Sequence, residues 1–243
     1  MQEAGKLPNY EFSLLGDSGV VVKLGDSIDQ ETHNKVVALS EYLQMHPFLG
    51  MVEFVPGFTT VTVYYDPILF FDPANEIMPY DHVLAFLKQL CESFSENGNK
   101  TNRLVEIPVC YGGSYGPDLE LVANHNGLSP EEVIAIHSST DYLVYMIGFA
   151  PGFPYLGGMD ERLATPRRSS PRLSIPMGSV GIGGQQTGIY SIVSPGGWQI
   201  IGRTPQCLFR PNDDTPSLLC SGDQVRFYPI STKEYDDWKK VSF

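Results

Sequence analysis

The chain has 243 residues, a formal net charge of -12, 42% hydrophobic and 18% charged residues. That is enough apolar sequence for one large domain or two ordinary ones, and too few charges for long disorder. The acidic balance argues against a nucleic-acid protein, whose footprint is a basic face, and against docking on anionic membranes; a local basic pocket is still allowed.

The opening residues show no charged segment followed by an apolar one, and no run of 18 apolar residues occurs, so neither a signal peptide nor a membrane span is predicted. The four cysteines have no CxxC pairing and no histidine at zinc spacing. They read as reduced thiols of a cytoplasmic protein.

In chain order, Val20 to Leu24 predicts a strand. Asp29 to Met45 has helical spacing, with Asp29 as its cap and Pro47 beyond its end. Gly50 to Val55 and Phe58 to Tyr65 read as strands around Pro56-Gly57, and Tyr80 to Phe94 as a second helix. With one further strand ahead of the first helix, the order β-β-α-β-β-α predicts an α+β domain over residues 1–99, with helices on one sheet.

The polar stretch 95–103, with the turn signal Asn97-Gly98, is read as the join. Basic residues change there: residues 1–100 hold five lysines and no arginine, and residues 101–230 hold eight arginines and no lysine. The second domain, 100–243, opens on a strand, Leu104 to Cys110. Two helices follow, Asp118 to Asn126 and one begun by the capping box Ser129–Glu132 with Pro130 at its first position. Asp141 to Ile147 is a strand. Short apolar stretches broken by Gly and Pro come next, at 173–177, 189–193, 198–201 and 225–230; their pattern is that of a β-barrel or sandwich.

Three segments of this domain carry the candidate chemistry. Residues 162–172 gather Arg162, Arg167, Arg168 and Arg172, whose planar forks suit carboxylate or phosphate. Each either pairs with a local acid such as Asp160 or Glu161 or belongs to an anion site; the group as a whole has few acids nearby in sequence. Gly178 to Gly184 reads as GxxGxGG. It fits neither a dinucleotide loop nor a P-loop, and serves either tight strand turns or a pocket wall with main-chain donors. Ser194 to Pro205 sets two glycines before Trp198, which is either core or cover for something bound. The five histidines fall outside these segments, and there is no GxSxG or HExxH. No catalytic residue and no metal site is predicted; Asp213-Asp214 reads as a solvated turn, with metal binding as its weaker alternative.

Gly148-Phe-Ala-Pro-Gly-Phe-Pro-Tyr-Leu-Gly157, Leu163-Ala-Thr-Pro-Arg167, Ser174 to Gly184, Ser194 to Pro205 and, in the first domain, Val55-Pro-Gly-Phe-Thr-Thr-Val-Thr-Val-Tyr-Tyr-Asp66 together resemble the KipI family, also called allophanate hydrolase subunit 1. Many members are understood as the B subunit of 5-oxoprolinase, PxpB. The resemblance implies an α+β N-terminal domain followed by a cyclophilin-like β-barrel, although a cyclophilin-like fold does not make a prolyl isomerase. It implies one of two activities. The first is a share, with subunits A and C, in an ATP-dependent amidohydrolase that opens 5-oxoproline to L-glutamate, with ATP and Mg at the level of the complex and none bound by this chain alone. The alternative is inhibition of a sensor histidine kinase. On the first reading, Arg167, Arg172 and Arg203, with Gln186 and Thr187, hold an anionic group. Pro151, Phe153, Tyr155, Gly183, Gly184, Gly196, Gly197 and Trp198 wall the pocket, and Arg168 points away, as alternation along an extended chain requires.

Overall fold

The computed structural model describes residues 10–71, 77–93 and 103–241. It divides into two compact units, Met1–Lys100 and Thr101–Phe243. The join read at 95–103 lies outside the described residues except for Arg103, which is paired with Asp223.

The first unit is a four-stranded antiparallel sheet of order β1-β2-β4-β3, built from β1 (Glu11–Leu15), β2 (Gly19–Lys23), β3 (Met51–Pro56) and β4 (Thr60–Tyr65). Helices α1 (Gln30–Met45) and α2 (Pro79–Ser93) pack on it. Period-two alternation puts Val20, Val22, Val61, Val63 and Tyr65 on one face, where they meet Val36, Leu39 and Leu43 of α1 and Val83, Leu87 and Leu90 of α2. Asp29 caps α1 by accepting from the Thr32 amide at 2.8 Å.

The second unit is a closed barrel of seven strands. In barrel order these are β10 (Gln186–Ile189), β7 (Pro154–Gly157), β6 (Asp141–Ile147), β13 (Gln224–Pro229), β5 (Leu104–Tyr111), β12 (Gln199–Arg203) and β9 (Ser179–Gly183). All its pairings are antiparallel except β5 with β13, which runs parallel from Leu104↔Gln224 to Val109↔Pro229. Closure leaves the barrel no unpaired edge. A separate ribbon pairs β8 (Arg172–Ile175) with β11 (Ser194–Gly196). Helices α3 (Leu119–Asn126) and α4 (Pro130–Ser138) add Leu119, Val122 and Val133 to the barrel's core of Ile107, Val109, Val144, Ile182, Ile201 and Phe227. The Ser129–Glu132 capping box at α4 forms with both bonds present. Helix α5 (Thr232–Val241) follows β13.

Two segments differ from their sequence reading. The expected strand at 189–193 ends at Ile189, because β10 takes Gln186 to Ile189 and the chain then turns out toward β11. The glycine-rich 178–184 is mostly strand: β9 is buried at all five positions. Its glycines are needed because β10 and β12 flank it while Trp198 presses on its surface; a Cβ at Gly181 would lie 3.2 Å from the Gln199 carbonyl oxygen.

Candidate functional site

The loop that leaves β6 folds tightly on itself. Gly148 N–H donates to the Phe153 carbonyl at 3.0 Å, and Phe153 N–H to that of Ala150 at 3.0 Å. Phe149 takes a φ of 66°, in the left-handed region that a bulky residue occupies only when its surroundings force it, and it is exposed. The loop delivers Phe153 to the centre of an aromatic block. The rings of Phe149, Tyr155, Tyr190 and Trp198 meet it edge-on with centroids 5.2–5.8 Å away, the favoured arrangement for aromatic pairs. Ile175 and Ile200 complete this buried cluster. Gly183 makes room for it: a Cβ there would stand 2.5 Å from the Trp198 indole nitrogen.

The arginines gather beside this block. Asp118, just before α3, is 5% exposed and uses both oxygens. One accepts from Arg172 at 2.8 Å and from Arg168 at 3.3 Å; the other accepts from the Ile200 amide at 2.6 Å. Arg172 also reaches the Trp198 carbonyl at 3.5 Å, and the Arg168 amide donates to the Gly197 carbonyl at 2.7 Å. Arg167 is exposed and leans over the Trp198 ring, 6.0 Å from its centroid, with no carboxylate partner among the described residues. Two guanidinium groups thus share one carboxylate while a third stands on the adjoining indole, leaving a positive excess on an apolar wall. The same field acts on Tyr190: burial pushes its phenol up, while the Trp198 backbone and the charges of Arg167 and Arg172 pull the other way.

The sequence-predicted residues divide accordingly. Arg167, Arg172, Phe153, Tyr155, Trp198 and Gly183 come together, and Gly196 and Gly197 carry the chain into Trp198. Pro151 is exposed on the loop, its carbonyl taking the Ser191 hydroxyl at 2.6 Å. Gly184 is exposed at a φ of 68°, beside the half-buried Gln186 on the β9–β10 turn. Thr187, expected beside the arginines, is instead fully buried in the barrel, its hydroxyl donating to the Gly181 carbonyl at 3.1 Å beside His137. Arg203 shares no described partner with the other arginines and stacks on Tyr115, its guanidinium carbon 5.9 Å from the ring centroid. Arg168 does not point away from Arg172: the two share the Asp118 carboxylate, and residues four apart lie on the same side of an extended chain. Arg162 is taken by its neighbour Asp160 at 2.7 Å. Asp118 and Tyr190 were missed. Asp118 lies 50 residues before Arg168, so local spacing could not pair them; in sequence it reads only as an acid at a helix start, and the structure shows it making no capping bond.

No group of three or more His, Cys, Asp and Glu side chains is placed to hold a metal among the described residues. Nor, among them, is any helix long and apolar enough to cross a membrane.

A family model described as carboxyltransferase domain, subdomain C and D, matches residues 10–219. The chain is 49% identical to the B subunit of 5-oxoprolinase from Bacillus subtilis, over 96% of this chain and 98% of that one. It is 44% identical to the B subunit of 5-oxoprolinase from Escherichia coli O157:H7, over 89% and 94%. The crystal structure of Kluyveromyces lactis urea carboxylase shares the fold, with a TM-score of 0.72 at 22% identity over 98% of this chain and 23% of that longer one. The matched span and these near-full-length identities show that the chain belongs to the carboxyltransferase subdomain C and D family, among relatives named as the B subunit of 5-oxoprolinase.

Proposed function

We propose that this chain is the B subunit of a 5-oxoprolinase and works with partner subunits A and C to open 5-oxoproline to L-glutamate with consumption of ATP. The observation that carries the reading is the 49% identity, over almost the whole of both chains, to a protein named as the B subunit of that enzyme.

The chemistry fits the arginine cradle. A lactam resists hydrolysis because amide resonance protects its carbonyl, and ATP with its magnesium, held at the level of the complex, supplies a phosphoryl leaving group for the carbonyl oxygen. Both substrate and cosubstrate are anionic. Arg167 and Arg172, set by Asp118 and Trp198, hold such an anion where charge develops. Phe149, Phe153 and Tyr155 form an apolar wall that limits water beside it. The partner subunits contribute the base.

Reconstitution tests the reading. The purified chain alone should not turn over 5-oxoproline, and mixing it with subunits A and C should give ATP-dependent glutamate release. Turnover by the single chain, or none in the full mixture, overturns it.

A further inference from the structure

Helix α5 and the barrel enclose a cleft of about 1340 Å³ in the second unit. Met177, Ile230 and Trp238 give it an apolar lining, and four charged side chains, Arg203, Arg210, Glu234 and Asp237, stand around it. Three of these have partners close by in sequence. Glu234 accepts from the amide and hydroxyl of Ser231, each at 2.7 Å, and so caps α5. Asp237 pairs with Lys240 at 3.0 Å, and Arg210 with Asp213 at 3.7 Å.

Arg203 is different. It makes no ion pair among the described residues, and its Nε is buried without a hydrogen-bond partner. Its guanidinium rests on the Tyr115 ring, and the Tyr115 hydroxyl is itself turned to Asp236 at 3.4 Å. Tyr235, 1% exposed, lies against it and accepts a hydrogen bond from the guanidinium, which leaves the rest of the fork to the cleft. A half-buried cation without a carboxylate partner is costly unless an anion completes it. An arginine steadied on an aromatic face keeps a donor edge ready for a carboxylate.

We infer that this cleft binds a small monocarboxylate with an apolar body, its carboxylate on Arg203 and its body against Met177, Ile230 and Trp238. A single charge is specified because, of the two arginines lining the cleft, only Arg203 lacks a carboxylate partner among the described residues, and because Glu234 and Asp237 on the rim repel a second negative charge. The site is built from residues other than those of the arginine cradle. It does not depend on the oxoprolinase reading.

The test is calorimetric titration of the full purified chain with phenylacetate, phenylacetamide and inorganic phosphate. Phenylacetate should saturate with a Kd of about 1 mM or tighter, as suits a fragment of its size. Phenylacetamide, which keeps the shape without the charge, and phosphate, which brings excess charge, should bind at least about tenfold more weakly. Arg203→Gln should weaken phenylacetate about tenfold or more, the loss of one charge-assisted contact. Trp238→Ala, at a partly exposed position on α5, should weaken it without touching the charge; it carries the test if Arg203→Gln fails to fold. Absence of saturable phenylacetate binding, equal binding of the amide, or binding that responds to Arg167→Gln but to neither cleft variant overturns the inference.

Discussion

The Thr187 hydroxyl lies 2.9 Å from Nε2 of His137 in the sealed interior of the barrel, and its proton is already directed at the Gly181 carbonyl. The hydroxyl therefore accepts from Nε2–H, which leaves Nδ1 to accept from the Tyr111 hydroxyl at 2.8 Å. One tautomer of a neutral imidazole is fixed, with its ring stacked on Phe227 at 4.6 Å. Thr187→Val should leave the Nε2 donor unsatisfied and cost about 1–3 kcal/mol in urea denaturation, with Thr187→Ser much milder. Activity per folded complex should be unchanged in both. A selective loss of substrate affinity in Thr187→Ser would return Thr187 to the binding site.

The same burial gives the protein an acid weakness. His137 titrates at about 3 instead of 6.5, because desolvation disfavours imidazolium. His33, in the first unit, is lowered to about 4 for the same reason. The unfolded chain takes up a proton below pH 6.5 while the folded imidazole stays neutral until about 3, so the unfolded state holds more protons through that window. The contribution of His137 is fully present above pH 6.5. It drains as pH falls toward 3, at up to about 1.4 kcal/mol per pH unit. Unfolding free energies at pH 7 and pH 5 should differ less in His137→Gln than in the parent protein. Equal differences would refute this.

Arg172 bridges Asp118 and the Trp198 carbonyl, a span that a lysine ammonium cannot fork across. Arg172→Lys should lower turnover of the assembled complex by roughly tenfold or more. Its stability should fall by only about 1 kcal/mol, because the arginine side chain remains 25% exposed and is partly screened. Normal kinetics in Arg167→Lys, Arg168→Lys and Arg172→Lys alike would make the cradle a scaffold.

Gly183→Ala should destabilise the second unit by about 1–3 kcal/mol, since the added methyl meets the Trp198 indole first. Combining it with Trp198→Phe, which removes the indole nitrogen, should cost less than the sum of the two single changes. Strict additivity in thermal unfolding would show that the methyl finds space elsewhere.

The helices were legible where caps and periodicity coincide, as with Asp29 before α1 and the Ser129–Glu132 box before α4, because these signals are local. The sheet of the first unit was readable from alternation for the same reason. The barrel's glycine-rich strand was not, because β9 lacks alternation: it is buried on both sides and its composition answers to Trp198, a residue far along the chain. The arginine group was visible from its density in an acidic protein. Its organising acid was not, since only the fold brings Asp118 to Arg168 and Arg172. Thr187 was misplaced because a hydroxyl next to glycines reads alike whether it faces solvent or a buried histidine.

The parallel pairing of β5 with β13 sets the order in which the second unit can be completed. β5 is the first strand of that unit and β13 the last, and β13 sits between β5 and β6. During synthesis the barrel stays open until residues 224–229 have emerged, and β5 waits with one side unpaired through more than a hundred residues of chain. The region matched by the family model ends at residue 219, so a fragment cut to that boundary would lack the closing strand and expose two edges prone to pairing with other copies.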